Sequence, residues 1–119
     1  MEAREEIVVK TLDSFCADND IHQIHLLKLD VEGHELAALK GATRFLQAGR
    51  IDFIQFEFGG CNIDARTFFQ DYYYLLTDQY RLYRVLIDGL HELTGYREAD
   101  EIFITTNFLA ARRSLPPLS

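Results

Sequence analysis

The chain has few residues of the kinds that mark secreted, metal-binding, membrane or nucleic-acid-binding proteins. Its two cysteines, Cys16 and Cys61, lack the CxxC or Cys/His spacing of a metal site, and we expect reduced, partly buried thiols. No apolar run approaches the roughly 20 residues of a membrane helix, and the first residues do not resemble a signal peptide. A net charge of −7 disfavours contact with a phosphate backbone. These absences predict a cytoplasmic protein without nucleic-acid or membrane partners.

What is present is the composition of a packed globule. The 119 residues are 48% hydrophobic and 13% aromatic, which is enough for one domain with its own core. We expect a single domain over residues 1–113. The last residues, 114–119, include two consecutive prolines and are expected to form a flexible tail.

The first half of the chain alternates strand and helix patterns. Thr11 is a suitable cap for a short helix, and Gly33 opens a single helical pattern that stops near Gly49. The strand candidates are Ile7–Val9, Ile21–Asp30 and Ile51–Phe58. The second half of Ile21–Asp30 is a nearly continuous apolar run that ends in a carboxylate, which predicts a strand buried on both faces of a parallel sheet.

The second half continues the pattern. A helix is predicted from Asp64 to Thr77, with an inner side formed by Phe68, Phe69, Tyr72, Leu75 and Leu76. Strands are predicted at Tyr80–Ile87, before a hairpin turn at Asp88-Gly89, and at Glu101–Thr106. The fold class is therefore α/β: a mixed sheet with parallel strands, an antiparallel carboxyl-terminal hairpin and helices packed on it.

Two carboxylates close the buried strands, Asp30 on the first and Glu57 on the second. Ligands of open α/β sheets bind beyond the carboxyl ends of the strands. There a carboxylate can orient a hydroxyl, accept its proton or balance a positive sulfonium. In the structural alternative, Asp30 caps the next helix and Glu57 pairs with Lys28. The residues leave both readings open.

Three neighbours of Asp30 carry further hypotheses. Lys28 either extends its head to water or pairs with Asp30, Glu32 or Glu57, because an unpaired buried ammonium is costly. Gly33 permits a tight turn or a close approach to a neighbour or ligand. His34, at a helix start, is either a neutral base or a surface histidine.

Two further features favour ordinary structural roles. Divalent-metal binding by Asp30, Glu57, His34 or Asn62 is a minority alternative, because the sequence has no dense acidic motif of the kind that binds metals. No metal ligand is assigned. The run Tyr72–Tyr74 points in three directions on a helix, so most of its area is expected to pack internally.

Several stretches together resemble the FkbM-type methyltransferase family, from about Val8 to about Phe108. They are Thr11–Phe15 (TLDSF), Leu27–Glu35 (LKLDVEGHE), Leu39–Ala42 (LKGA), Ile54–Phe58 (IQFEF) and Tyr80–Arg84 (YRLYR). The first two at their separation are rather specific together, whereas either alone is weak.

The resemblance implies a partial Rossmann-like methyltransferase fold, in which the strands here are the fourth to the seventh. It implies transfer of a methyl group from S-adenosylmethionine to a hydroxyl of a small molecule or sugar. Asp30 and Glu57 would be catalytic. The donor would be bound by Asp30, Glu32 and Gly33, and the acceptor by Glu57, His34 and Asn62.

The 119 residues contain no counterpart of the family's earlier half, with its glycine-rich donor loop and its acidic residue for the ribose hydroxyls. We therefore expect this chain alone to bind S-adenosylmethionine poorly and to be inactive by itself. The missing amino-terminal half would then come from a partner. The alternative is a non-catalytic assembly module that forms a homodimer through an exposed sheet edge. A metal-dependent hydrolase built on the two carboxylates is the third reading.

Overall fold

The computed structural model describes residues 11–30, 33–102 and 105–118. In this part of the chain, short helices alternate with strands and a hairpin follows. The helices are α1 (Leu12–Asp18), α2 (Glu35–Lys40), α3 (Thr43–Gln47), α4 (Cys61–Ala65) and α5 (Phe69–Leu76), with a 3₁₀ turn at Glu98–Asp100. The strands are β1 (Ile24–Lys28), β2 (Ile51–Phe58), β3 (Tyr80–Leu86), β4 (Gly89–Leu93) and β5 (Thr106–Arg112).

The described strands form one sheet in the order β1-β2-β5-β3-β4. β1 and β2 are parallel, whereas β5 is antiparallel to both of its neighbours, β2 and β3. β3 and β4 form the hairpin predicted at Asp88-Gly89, with Leu86 opposite Gly89. Gly89 adopts a φ of 133°, a value that L side chains rarely adopt. The α/β class, with a mixed sheet and helices packed on it, is therefore confirmed.

The prediction that the first long strand is buried on both faces was wrong. β1 covers Ile24–Lys28 and has one neighbour, β2, among the described strands. Leu26 is 56% exposed, and His25 and Lys28 are exposed as well. The apolar run predicted burial from composition alone, but position in the sheet decides burial, and β1 is the edge strand among those that the structure describes.

The predicted single helix from Gly33 to Gly49 is two helices, α2 and α3, and the motif around Thr11 explains the break. Thr11 caps α1 as predicted, since its hydroxyl accepts the backbone N–H of Ser14 at 3.1 Å. The Asp13 carboxylate then accepts the N–H groups of Arg44 and Phe45 at 2.9 and 3.1 Å. A side chain distant in sequence thus satisfies the first N–H groups of α3, which begins a new helix there.

The helix predicted from Asp64 to Thr77 is also divided, into α4 and α5. Arg66 lies between them in the left-handed region, with a φ of 55°. The first N–H groups of α5, at Phe69 and Gln70, donate to the Glu101 carboxylate at 2.6 and 3.0 Å. Phe68 precedes α5 and is 49% exposed, so its predicted place on the inner side was wrong.

The last strand begins where the prediction placed its end. Glu101–Thr106 was predicted, but Glu101 caps α5 and the strand β5 covers Thr106–Arg112. Phe103 and Ile104 of the predicted strand lie outside the described residues. Phe108 and Ala110 point to the core from this strand and are buried. Because alanine has a weak preference for strands, the segment that contains Ala110 and Ala111 carried little sequence signal.

The core lies on one face of the sheet, under the helices. Phe56 of β2 stacks on Tyr72 of α5, with ring centroids 4.9 Å apart, and on Phe108 of β5 at 5.6 Å. Tyr72 is fully buried while Tyr74 is 61% exposed, which agrees with the packing role predicted for most of the tyrosine run. Both cysteines are free. Cys16 is buried in this core, whereas Cys61 is exposed, so the expected partial burial of both thiols was wrong for Cys61.

The described carboxyl-terminal residues pack in part against the sheet. The Arg81 guanidinium donates to the Leu115 carbonyl at 3.1 Å, and the Leu118 N–H donates to the Tyr83 hydroxyl at 3.1 Å. The domain limits and the flexible tail remain predictions, and the strand predicted at Ile7–Val9 lies outside the described residues. No helix in the described ranges has the length and hydropathy needed to cross a membrane.

Candidate functional site

The strand register brings the two predicted carboxylates, Asp30 and Glu57, to one end of the sheet, the carboxylate edge, where β1 and β2 have their carboxyl ends. Lys28 pairs with Gln55, and the Leu29 N–H continues the ladder by donating to the Gln55 carbonyl at 2.8 Å. Asp30 and Glu57 lie two positions beyond that pair, each at the carboxyl end of its strand. Both residues therefore lie at the carboxyl ends of two neighbouring parallel strands, which is where α/β sheets bind ligands.

The two carboxylates differ in exposure. Asp30 is exposed, whereas Glu57 is half-buried. Lys28 is exposed in the edge strand, and the described residues show no ion pair that joins it to Asp30 or Glu57. In the described residues this lysine therefore neutralises neither carboxylate. Its predicted alternative partner, Glu32, lies outside the described residues.

Gly33 makes the turn from β1 to α2 possible, and no other residue fits its place. Its φ is 96°, and a Cβ atom there would lie 2.7 Å from the carbonyl oxygen of Cys61. The turn after β1 therefore packs directly on the first residue of α4, which follows β2. This contact joins the two loops that leave the carboxyl ends of the parallel strands.

Glu35 is a site residue that the sequence analysis did not single out. Its side chain is 1% exposed, and it accepts the Gly33 N–H at 2.9 Å. A carboxylate buried this deeply is costly unless it is hydrogen-bonded, and this bond also holds the glycine turn. The sequence feature that could have indicated this role is the position of Glu35, a charged residue in the first turn of the helix that follows Gly33.

Asn62 is buried and fully engaged within the loop that follows β2. Its side-chain oxygen accepts the Gly59 N–H at 2.9 Å, and its NH₂ group donates to the hydroxyls of Thr67 and Tyr72 at 2.8 and 3.0 Å. These three bonds fix α4 against α5. The acceptor-binding role predicted for Asn62 stays a prediction, and its geometry is that of a side chain that positions the loop.

Tyr72 adds a protonated hydroxyl near this loop. Burial raises the pKa of Tyr72, the hydrogen bond from Asn62 opposes that shift, and the Glu35 carboxylate raises the pKa further. The phenol therefore stays neutral at physiological pH. Asn62 and Tyr72 are thus joined by a hydrogen bond, and the nearby Glu35 carboxylate holds the glycine turn.

A small crevice opens between these loops. Its volume is about 10 Å³, room for about one water molecule, and Glu57 lines it. The other lining residues are Gly33, Glu35, Gly59, Cys61, Asn62 and Thr105. Gly59 is required here, because a Cβ atom at this position would lie 2.4 Å from the Cα atom of Thr105. The backbone after β2 thus touches the residue that precedes β5.

Of the predicted site residues, Gly33, Glu57 and Asn62 meet at this crevice. Asp30 and His34 are exposed and do not line it, and the His34 side chain makes no capping bond to α2. Glu32 lies outside the described residues. Within the described ranges, no three histidine, cysteine, aspartate or glutamate side chains are grouped as metal ligands would be.

A family model described as the methyltransferase FkbM domain matches residues 2–85, more than half of the chain. The match includes β1, the glycine turn, β2 and most of β3, and with them both carboxylates of the edge. The chain therefore belongs to the FkbM methyltransferase domain family, as its sequence motifs indicated. Comparisons with curated proteins and with solved structures gave no match.

Proposed function

We propose that this chain supplies the acceptor side of a methyltransferase site that transfers a methyl group from S-adenosylmethionine to a hydroxyl of a small molecule or sugar. The observation that carries the proposal is that Asp30 and Glu57 lie at the carboxyl ends of two neighbouring parallel strands, in a chain of the methyltransferase family. The strand order supports it too, because β5 lies antiparallel between β2 and β3, as in a partial Rossmann-like methyltransferase sheet.

The two carboxylates suit different tasks. Glu57 is half-buried beside a crevice that holds about one water molecule, so it can orient an acceptor hydroxyl and take its proton with little competition from solvent. Asp30 is exposed at the end of the edge strand, and its negative charge favours a cationic sulfonium nearby. When bound, S-adenosylmethionine supplies the electrophilic methyl group; the chain's own residues position the nucleophile.

At the carboxyl ends of β1 and β2, the described residues do not form a pocket for the whole methyl donor. The crevice at the carboxylate edge is about 10 Å³, far below the roughly 300 Å³ at which small-molecule sites begin. No glycine-rich phosphate- or nucleoside-binding loop occurs in the 119 residues. We propose that donor binding requires an amino-terminal methyltransferase half, and that this chain alone binds the donor poorly and is inactive.

Titration calorimetry with S-adenosylmethionine tests this proposal directly. The chain alone should show no micromolar affinity, whereas the chain mixed with an amino-terminal half that carries a glycine-rich donor loop should bind the donor and methylate hydroxyl-bearing acceptors. Micromolar-or-tighter binding by a monomer of the chain alone would overturn the need for a second half. A donor-loaded mixture that methylates no hydroxyl in a broad acceptor panel would overturn the acceptor-side role.

The edge strand favours a second candidate function, a non-catalytic assembly module. β1 has free backbone groups on one side among the described strands, and Leu26 on it is 56% exposed. An open edge with exposed apolar side chains is a template for pairing with another strand. Lys28 and His25 are polar side chains that weaken such pairing.

Light scattering after size-exclusion chromatography separates the two candidates. A homodimer that Leu26→Lys converts to a monomer would favour the assembly module. The matched control is Leu86→Lys, at the exposed end of β3, which should leave the dimer intact. A monomer at all concentrations would rule out the assembly module.

A cytoplasmic location is part of the methyltransferase proposal, and cell fractionation tests it.

A further inference from the structure

A cavity of about 330 Å³ lies at the opposite end of β1 and β2 from the carboxylate edge. It is a partly open cavity, bounded by α1, by α3 and by the residues that precede the two strands. Ile21 and His22 precede β1, and Arg50 precedes β2, where its carbonyl accepts the Ile24 N–H at 2.8 Å. Eight residues of extended chain separate His22 from Asp30, or roughly 26 Å, so this cavity is not part of the candidate methyl-transfer site.

The floor of the cavity is apolar. Five of its lining side chains lack a formal charge and are small or hydrophobic: Cys16, Ala17, Ile21, Phe45 and Ala48. Cys16 is 1% exposed, and burial, reinforced by the nearby Asp13 carboxylate, raises the pKa of its thiol. The thiol is therefore neutral, and the floor favours an aliphatic or aromatic group over an ion.

The charged side chains that line the cavity are two arginines and one aspartate, so arginine charge predominates there in a chain whose net charge is −7. Arg44 and Arg50 both line it, and within the described residues no ion pair neutralises either guanidinium. Arg50 lies over the Phe45 ring, 5.9 Å from its centroid, which places its charge above the apolar floor. The Asp13 carboxylate also lines the cavity, but both of its oxygens accept N–H groups of α3.

We propose that this cavity binds a small amphipathic anion, a carboxylate with a short aliphatic or aromatic tail. The tail occupies the floor of Cys16, Phe45 and their neighbours, and the carboxylate accepts hydrogen bonds from Arg44 and Arg50 at the rim. The volume is at the lower end of small-molecule sites, about 300–1,000 Å³. An inorganic anion would leave the floor unfilled, and a neutral tail would leave both guanidinium groups unpaired. The proposal goes beyond methyl transfer and does not depend on it.

Octanoate is the probe for this site, because it combines one carboxylate with a tail of the required size. We expect its titration into the ¹⁵N-labelled chain to shift the backbone amide signals of Ala17, Phe45 and Ala48, with saturation below about 10 mM. Octanol, octylammonium and inorganic phosphate at equal concentration should shift these signals little. Arg44→Gln and Arg50→Gln should each weaken octanoate about three- to tenfold, and together more than tenfold.

Two further variants complete the test. Ala17→Leu fills the cavity from α1, where leucine is a good helix former, and should abolish saturable binding. Lys40→Gln removes an exposed cation of α2 that does not line the cavity, and should leave the affinity unchanged. Thermal unfolding of each variant shows that the fold is retained.

Three results would overturn the proposal: no octanoate shifts at the cavity; octanol or phosphate shifts as strong as those of octanoate; or octanoate binding that persists unchanged in both the arginine double variant and Ala17→Leu.

Discussion

Replacement of Asp13 by alanine removes both hydrogen-bond acceptors that cap α3. In the structure the carboxylate accepts the Arg44 N–H at 2.9 Å and the Phe45 N–H at 3.1 Å. Ala42, the residue that precedes α3, has no side-chain acceptor to replace them. The Phe45 N–H is part-buried, so water substitutes for the lost carboxylate incompletely.

The expected cost is about 1–2 kcal/mol, the upper half of the range for loss of a helix cap, because one residue serves two N–H groups. For a chain of 119 residues, the unfolding entropy near the midpoint is about 250 cal/mol/K, so each kcal/mol lowers Tm by about 4 °C. Asp13→Ala should therefore lower Tm by about 4–8 °C. Asp13→Asn keeps one acceptor oxygen and should lie between the variant and the wild type.

Thermal and urea unfolding, followed by circular dichroism, measure the effect. Asp78→Ala is the matched control, since Asp78 is an exposed aspartate that caps no helix in the described structure, and its Tm should stay within about 1 °C of wild type. If Asp13→Ala changed stability no more than Asp78→Ala, the long-range cap would not stabilise α3, and the explanation for the break between α2 and α3 would fail.

Two further stability predictions follow from single contacts. Gly33→Ala places a Cβ atom 2.7 Å from the Cys61 carbonyl oxygen at a φ of 96°, and should lower the free energy of unfolding in urea by at least about 2 kcal/mol. The control Gly95→Ala, whose Cβ atom meets nothing within 4 Å, should lower it by less than about 1 kcal/mol. Equal losses in the two variants would show that Gly33→Ala does not strain the turn. Hydrogen bonds from His25 and Arg112 lower the pKa of Asp52. Its stabilising effect is therefore full above the ordinary value of 3.8 and is lost as pH falls through the lower folded-state pKa. Asp52→Asn should destabilise the chain at neutral pH and match wild type in strong acid, and a difference constant with pH would contradict this.

The α/β class and the strands β2 and β3 followed from the sequence because their patterns are local. Ile51–Phe58 and most of Tyr80–Ile87 are runs of strand-forming residues bounded by turn residues. Thr11 was likewise identified as a cap, since its partner is three residues away. The two carboxylates were placed at one edge because a βαβ unit brings the carboxyl ends of its strands together.

The remaining errors arise where a distant residue determines the local structure. The break in the predicted helix from Gly33 to Gly49 depends on Asp13, and the start of α5 depends on Glu101. These side chains form hydrogen bonds with residues about 30 positions away in the sequence, so the periodicity of the helix itself does not reveal them. The buried position of Glu35 was missed for a similar reason, since its partner is a backbone N–H in a turn that only the three-dimensional structure defines.

The methyl-transfer rate of the chain combined with an amino-terminal methyltransferase half tests the central claim most directly. With labelled S-adenosylmethionine and a hydroxyl acceptor, Glu57→Gln should lower kcat about 100-fold or more, the usual effect of removing a general base, while donor affinity and Tm stay unchanged. Lys28→Gln, the exposed neighbour on β1, should retain wild-type activity. If Glu57→Gln retained a kcat within about twofold of wild type, the carboxylate edge would not be the site of proton transfer.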